Sequence, residues 1–244
     1  MTSFLKRIVP IEILDTVLVE YKIGVTRQRD TIYFQIDKDG RCRTGKIMKY
    51  NPKTGHRIKD ENISCKVSWV HSILKSRKVL PKDWQLTQCL FGEHLLNKYP
   101  QKRVALVESE KTAIICAALM PQYLWLATGG KTQLGDKLKV LGGRDVIAFP
   151  DIDGYDAWKE KLYGTGIKVS DWLENNSTSE DRAKGVDIAD ILLRNYSNYS
   201  ESTYTFRLSS PDTILKYFSE SSHNEIKALI DEFELIPVSF TKLP

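Results

Sequence analysis

Cysteine and histidine are scarce in this 244-residue chain, with four of each. The cysteines, Cys42, Cys65, Cys89 and Cys116, form no C-x-x-C pair. The histidines, His56, His71, His94 and His223, are equally scattered, so no zinc ribbon is expected. Cys116 falls in an apolar stretch and reads as core. No apolar run approaches the roughly 18 residues of a membrane-spanning helix. The N-terminus, Met1 to Arg7, lacks the apolar centre of a signal peptide, so no membrane association and a cytoplasmic location are expected. Thr128-Gly129-Gly130-Lys131-Thr132 ends like a P-loop, but G-x-x-x-x-G-K-[ST] needs a glycine where Trp125 stands. A P-loop motor is thereby excluded.

Positive charge, by contrast, is plentiful and unevenly spread. The net charge is +5, yet residues 1–103 carry 21 Lys/Arg against 10 Asp/Glu, and residues 104–193 carry 10 against 14. A basic module beside an acidic one suits a phosphate polymer whose backbone is held while one phosphate reacts. A solvated basic surface gives the same count. The length allows one large or two small domains. The composition and elements divide it into a basic α+β module over 1–103, an α/β domain over 104–193, and a helical tail over 194–244.

The acidic part holds two related motifs. Val104-Ala105-Leu106-Val107 leads into Glu108-Ser109-Glu110, and Val146-Ile147-Ala148-Phe149 leads through Pro150 into Asp151-Ile152-Asp153-Gly154. Short continuous apolar runs of this kind predict parallel strands buried on both faces. Ligands of open α/β sheets bind outside the carboxyl ends of such strands. Glu108, Asp151 and Asp153 are therefore expected to meet in one crevice. Converging carboxylates need a cation to ionise together, and hard oxygen ligands favour Mg2+ or Mn2+. Between the motifs, Thr112–Met120 reads as a helix ended by Pro121, Tyr123–Ala127 as a strand, Thr128-Gly129-Gly130 as a loop, and Lys131–Leu141 as a helix closed by Gly142-Gly143. The 43 residues from Glu108 to Asp151 suit the two crossovers of a β-α-β-α-β unit. Glu110 reads as a first-turn carboxylate on the helix dipole.

The segment from Val104 to Leu193 resembles the toprim domain shared by primases, topoisomerases and some nucleases. The resemblance rests on Glu108 after the first strand, Gly129-Gly130 after the second and Asp151-Ile152-Asp153 after the third. Gly185-Val186-Asp187-Ile188-Ala189-Asp190 is similar to a later acidic element of primase-type members, although Asp187 and Asp190 at i,i+3 also suit a polar helix face. Ser109 departs from the glycine that many members place after the motif glutamate. The resemblance implies a toprim-type parallel sheet flanked by helices, with Glu108, Asp151 and Asp153 catalytic and Asp187 joining them around the metal. It implies a primase-like nucleotidyltransferase. A toprim nuclease would use the same ligands, and a non-catalytic nucleic-acid-binding accessory is the further alternative. Single-stranded DNA or a DNA/RNA hybrid and NTPs are the implied partners, with a helicase or a zinc-binding subunit on another chain. Together with its N-terminal segment the region resembles uncharacterised proteins of bacterial mobile elements.

In the basic module, residues 1–20 read as a short amphipathic helix, Thr31–Ile36 as a strand, and Arg41–Tyr50 as a cation-rich strand broken at Gly45. Alternation puts Arg41 and Arg43 on one face. With Lys46, Lys49 and Arg57 they form a candidate nucleic-acid surface, to which Lys131 adds a cation near the crevice. Edge lysines also prevent strand aggregation. Trp69–Tyr99 reads as partly helical with a break at Pro81, Glu174–Lys184 as a polar loop, and the tail as two helices starting near Ser210 and Asn224.

Overall fold

The computed structural model describes residues 1–58 and 67–195. Cys65 and the two helices expected in the tail lie outside the described residues. Met1–Leu193 forms one compact unit.

Two four-stranded sheets organise this unit. The first is antiparallel and ordered β1 (Ile23–Val25), β2 (Thr31–Ile36), β3 (Cys42–Met48), β4 (Ser68–Trp69). Strict alternation of burial along β2 marks a sheet with one packed face. Lys38, Asp39 and Gly40 make the expected turn, with Gly40 at φ +82°. β3 runs through Gly45 without a break, because a side chain there would strike Ile32 and Val70 at 2.9 Å; the glycine admits its neighbours. Helices α1 (Thr2–Leu5) and α2 (Ile11–Glu20) replace the single N-terminal helix, with Pro10 at the N-cap of the second. Helix α3 (Val70–Ser76) follows β4 directly.

The second sheet is wholly parallel and ordered β6 (Leu124–Ala127), β5 (Val104–Val107), β7 (Val146–Ala148), β8 (Lys168–Val169). Every residue of β5 and β6 is buried, as their unbroken apolar sequences demand. Helix α4 (Glu110–Leu119) crosses from β5 to β6. Helix α5 (Tyr155–Leu162) crosses from β7 to β8, and α6 (Trp172–Asn176) and α7 (Ser179–Lys184) follow. The expectation of an α/β chain with a parallel sheet flanked by helices holds. Phe91 pairs with Ala127 on the outer side of β6, covering that edge. One apolar cluster includes Leu14 and Tyr33 from the N-terminal part and Leu106, Trp125 and Trp158 from the parallel sheet.

Two further expectations fail. The helix over Lys131–Leu141 reduces to a 3-10 segment, Asp136–Leu141, because extended Gly135 interrupts the chain before it. The polar stretch Glu174–Lys184 is no loop: Thr178 and Asp181 cap α7 reciprocally, and Gly185 ends it at φ +63°.

Candidate functional site

The parallel order places β5 and β7 side by side while the chain leaves β5 toward β6 and returns on the other side. The gap between the carboxyl ends of β5 and β7 is thus the topological switch point, where open α/β sheets bind ligands. Glu108 follows β5 and Asp151 lies just beyond β7. Glu108 Oε1 accepts a hydrogen bond from the backbone N–H of Asp151 at 3.3 Å. Thr128 N–H donates to Val107 O and Gly129 N–H to Glu108 O, so the loop after β6 borders the same edge. Gly129 holds φ +90°, a conformation that suits glycine.

Electrostatics single out Asp151. Its Oδ1 is buried with no hydrogen-bond partner. Burial first, then the charges of Glu108, Asp187 and Asp153, push its carboxyl up to about 8. Burial likewise raises Glu108, against the opposing hydrogen bond from Asp151 N–H. Asp153 is turned outward, 71% exposed, and pairs with Lys131 Nζ at 2.9 Å. Lys131 also donates to the backbone carbonyl of Asp153, while its own carbonyl accepts from the Trp158 indole. Asp187 faces the same region from the start of the helical turns at 188. Its Oδ2 accepts from Thr112 Oγ1, and it exchanges backbone-to-carboxylate hydrogen bonds with Asp190. That exchange is a helix cap. Burial and the neighbouring Asp190 raise Asp187.

The structure therefore brings Glu108 and Asp151 into contact, with Asp153 and Asp187 nearby but tied to Lys131 and Thr112. Among the described residues no three His, Cys, Asp or Glu side chains are drawn close enough to form a metal cage as they stand. The donor chemistry nonetheless fits a hard divalent cation. A buried, unpartnered carboxylate oxygen amid like charges lacks the positive partner that ionisation needs.

Two residues that the motif pattern left unexplained acquire reasons. A Cβ on Gly154 would lie 2.5 Å from Glu108 Oε1 and 3.1 Å from the backbone carbonyl oxygen of Asp151, so the glycine after Asp-x-Asp makes room for the Glu108 carboxylate. Ser109 holds its turn without strain, since its φ is −107° and its hydroxyl caps α4 by accepting from Thr112 N–H.

The basic module departs further from expectation. Lys46 is no part of an open surface. Its Nζ donates to Glu110 Oε2 and to Gly129 O, each at 2.9 Å, and the two side chains are 11% and 3% exposed. Glu110 stands in the first turn of α4, as expected, and is in addition a buried ion-pair partner. Arg41 and Arg43 both bind Asp37, whose carboxyl they and the Arg41 N–H hold below the ordinary range against the opposing effect of burial. Lys49 and Arg57 are exposed.

No curated protein matches the chain. Among solved structures it is similar to the primase fragment of the bacteriophage T7 primase-helicase protein, at 14% identity over 70% of this chain and 68% of that one, TM-score 0.40. It is similar to the E. coli primase catalytic core, at 15% identity over 97% and 83%, TM-score 0.40. It is also similar to the DnaG catalytic core, at 13% identity over 95% and 89%, TM-score 0.45. Identities and TM-scores this low say nothing of activity. The family model described as a domain of unknown function (DUF6371) matches residues 1–152, a span that includes Glu108 and Asp151, and the chain belongs to that family.

Proposed function

We propose that this chain is a toprim-type, primase-like nucleotidyltransferase acting on nucleic acid. The observation that carries the reading is the buried, unpartnered Asp151 Oδ1 beside Glu108 at the switch point of the parallel sheet. In phosphoryl transfer the protein mainly positions groups and neutralises charge. Asp151, Asp153 and Glu108 would hold Mg2+ or Mn2+, with Asp187 beside them. Such a cation neutralises charge building on the transferring phosphate.

The chain's own residues supply the rest. Glu108, raised by burial, is suited to accept the proton of an attacking hydroxyl. Lys131, once Asp153 turns to the cation, is left to meet a phosphate oxygen. The Gly129–Gly130 loop offers a border without side chains, across which a backbone can approach closely. Nucleic acid and nucleoside triphosphates are the proposed substrates. Among the described residues no helix is long and apolar enough to cross a membrane.

The test is incubation of the full chain with single-stranded DNA, labelled NTPs or dNTPs, and Mg2+ or Mn2+. Labelled oligomers that disappear with Asp151→Asn are the expected result. Shortened DNA without oligomers would make the same site a nuclease. Neither product would leave the chain a binding protein and overturn the reading.

A further inference from the structure

Outside the carboxylate edge, one aromatic group stands apart from the core. Trp69 ends β4, His71 lies on α3, and Trp84 comes from the segment after it. The rings of Trp69 and His71 are 5.7 Å apart, and those of His71 and Trp84 are stacked at 5.9 Å with 24° between their planes. Lys75 Nζ lies 5.2 Å from the centroid of the Trp84 ring. His71 and Lys75 are i,i+4, so both meet Trp84 from one face of α3. All three rings are half-buried, and none belongs to the hydrophobic cluster of the unit.

The surrounding charge differs from that of the β2–β3 hairpin. Lys75, Arg77, Lys78 and Lys82 are exposed, and among the described residues none of the four is in an ion pair. Position completes the picture. Thr44 Oγ1 lies 2.7 Å from His71 Nδ1, while Lys46, two residues along the same face of β3, reaches Gly129 O at the carboxylate edge. In the β3–β4 register Lys46 stands opposite Trp69. The ring group is thus one strand step, about 7 Å, from the residue that borders the candidate active site.

We propose that Trp69, His71 and Trp84, with the cations of Lys75, Arg77, Lys78 and Lys82, form a stacking platform for single-stranded nucleic acid entering the carboxylate site. Every base offers a π-face, so stacking on tryptophan is tolerant of sequence, and clustered unpaired cations neutralise the backbone. Four exposed cations exceed what one backbone phosphate needs, which favours a strand over a nucleoside monophosphate. The direction of the strand rests on the proposed phosphoryl-transfer reading. The platform itself does not, since it shares no residue with the carboxylate site.

The experiment is fluorescence anisotropy of a labelled single-stranded oligothymidylate with the full chain, comparing wild type, Trp84→Ala, Trp84→Phe and, at the exposed aromatic that follows α5, Tyr163→Ala, each checked by circular dichroism. Trp84→Ala is expected to weaken binding roughly 5- to 150-fold, the range that about 1–3 kcal/mol of stacking gives. Trp84→Phe should retain most of the affinity, and Tyr163→Ala should bind as wild type. Wild-type affinity in a folded Trp84→Ala protein overturns the proposal. So does absent binding by the wild type, or thymidine monophosphate competing as well as the oligonucleotide. The carboxylate reading fails separately, if nucleotide incorporation is absent while oligonucleotide binding is intact.

Discussion

The two sheets treat their charged residues in opposite ways. In the antiparallel sheet the cations that look most available are engaged: Arg41 and Arg43 on Asp37, Lys46 on Glu110. At the edge of the parallel sheet Asp153 pairs with Lys131 and Asp187 with Thr112, yet Asp151 keeps a buried oxygen with no partner. The basic surplus of residues 1–103 is therefore a poor guide to which of its cations are open to a polyanion, whereas the acidic edge is under electrostatic tension, the Asp151 carboxyl being raised by burial and by its acidic neighbours. Charge counted along a chain says how much is present; only folding says how much is unspent.

The sharpest way to break this comparison is to cut the buried pair that joins the two sheets. Glu110→Gln leaves Lys46 charged and buried, and should cost about 3–5 kcal/mol in urea unfolding. A combined Lys46→Met/Glu110→Leu protein should recover much of that loss. Glu108→Gln should do the reverse: turnover falls about a hundredfold or more while the unfolding midpoint holds. A dead Glu110→Gln protein of normal stability would reverse the two roles.

Room at the edge is the next lever. Gly154→Ala puts a methyl group 2.5 Å from the present position of Glu108 Oε1 and should lower turnover about tenfold to a hundredfold in the incorporation assay. Unchanged turnover would mean that the Glu108 rotamer is not catalytic.

Proton linkage gives a subtler reading of the same tension. The folded Asp151 carboxyl is raised from 3.8 to about 8, so its contribution is fully present below pH 4 and is lost as pH rises toward 8. Without added metal, wild type should lose stability relative to Asp151→Asn across that window. A constant difference in urea midpoint from pH 4 to pH 8 would contradict the burial of that group. The smallest effect is expected from Arg41→Ala/Arg43→Ala. With both guanidiniums committed to Asp37, the salt slope of oligonucleotide binding should change by less than the ~0.7 that each phosphate contact contributes in single strands.

These contrasts follow what the sequence could carry. β5, β6 and β7 were legible because their apolar runs are continuous, β2 because it is rich in β-branched and aromatic residues, Glu108 because it directly follows β5, and Asp151 because it lies just beyond β7. The fate of Lys46 was not, since its partner lies 64 residues away and alternation alone gives no hint of a facing carboxylate. Helix α7 was hidden by its polar composition, although Thr178-x-x-Asp181 ahead of Gly185 is a capping signal that periodicity ignores. The helix expected after Lys131 failed because extended Gly135 separates Leu134 from Leu138 and Leu141, which alone fall in the 3-10 segment. The Trp69–His71–Trp84 group is assembled across a turn and a loop, and no single stretch of sequence displays it.

The account stands or falls on the carboxylate edge. Calorimetric titration of Mn2+ into wild type and into Asp151→Asn/Asp153→Asn tests it directly. The account predicts saturable binding by the wild type that the double variant loses; equal binding by both, or none by the wild type, would contradict it.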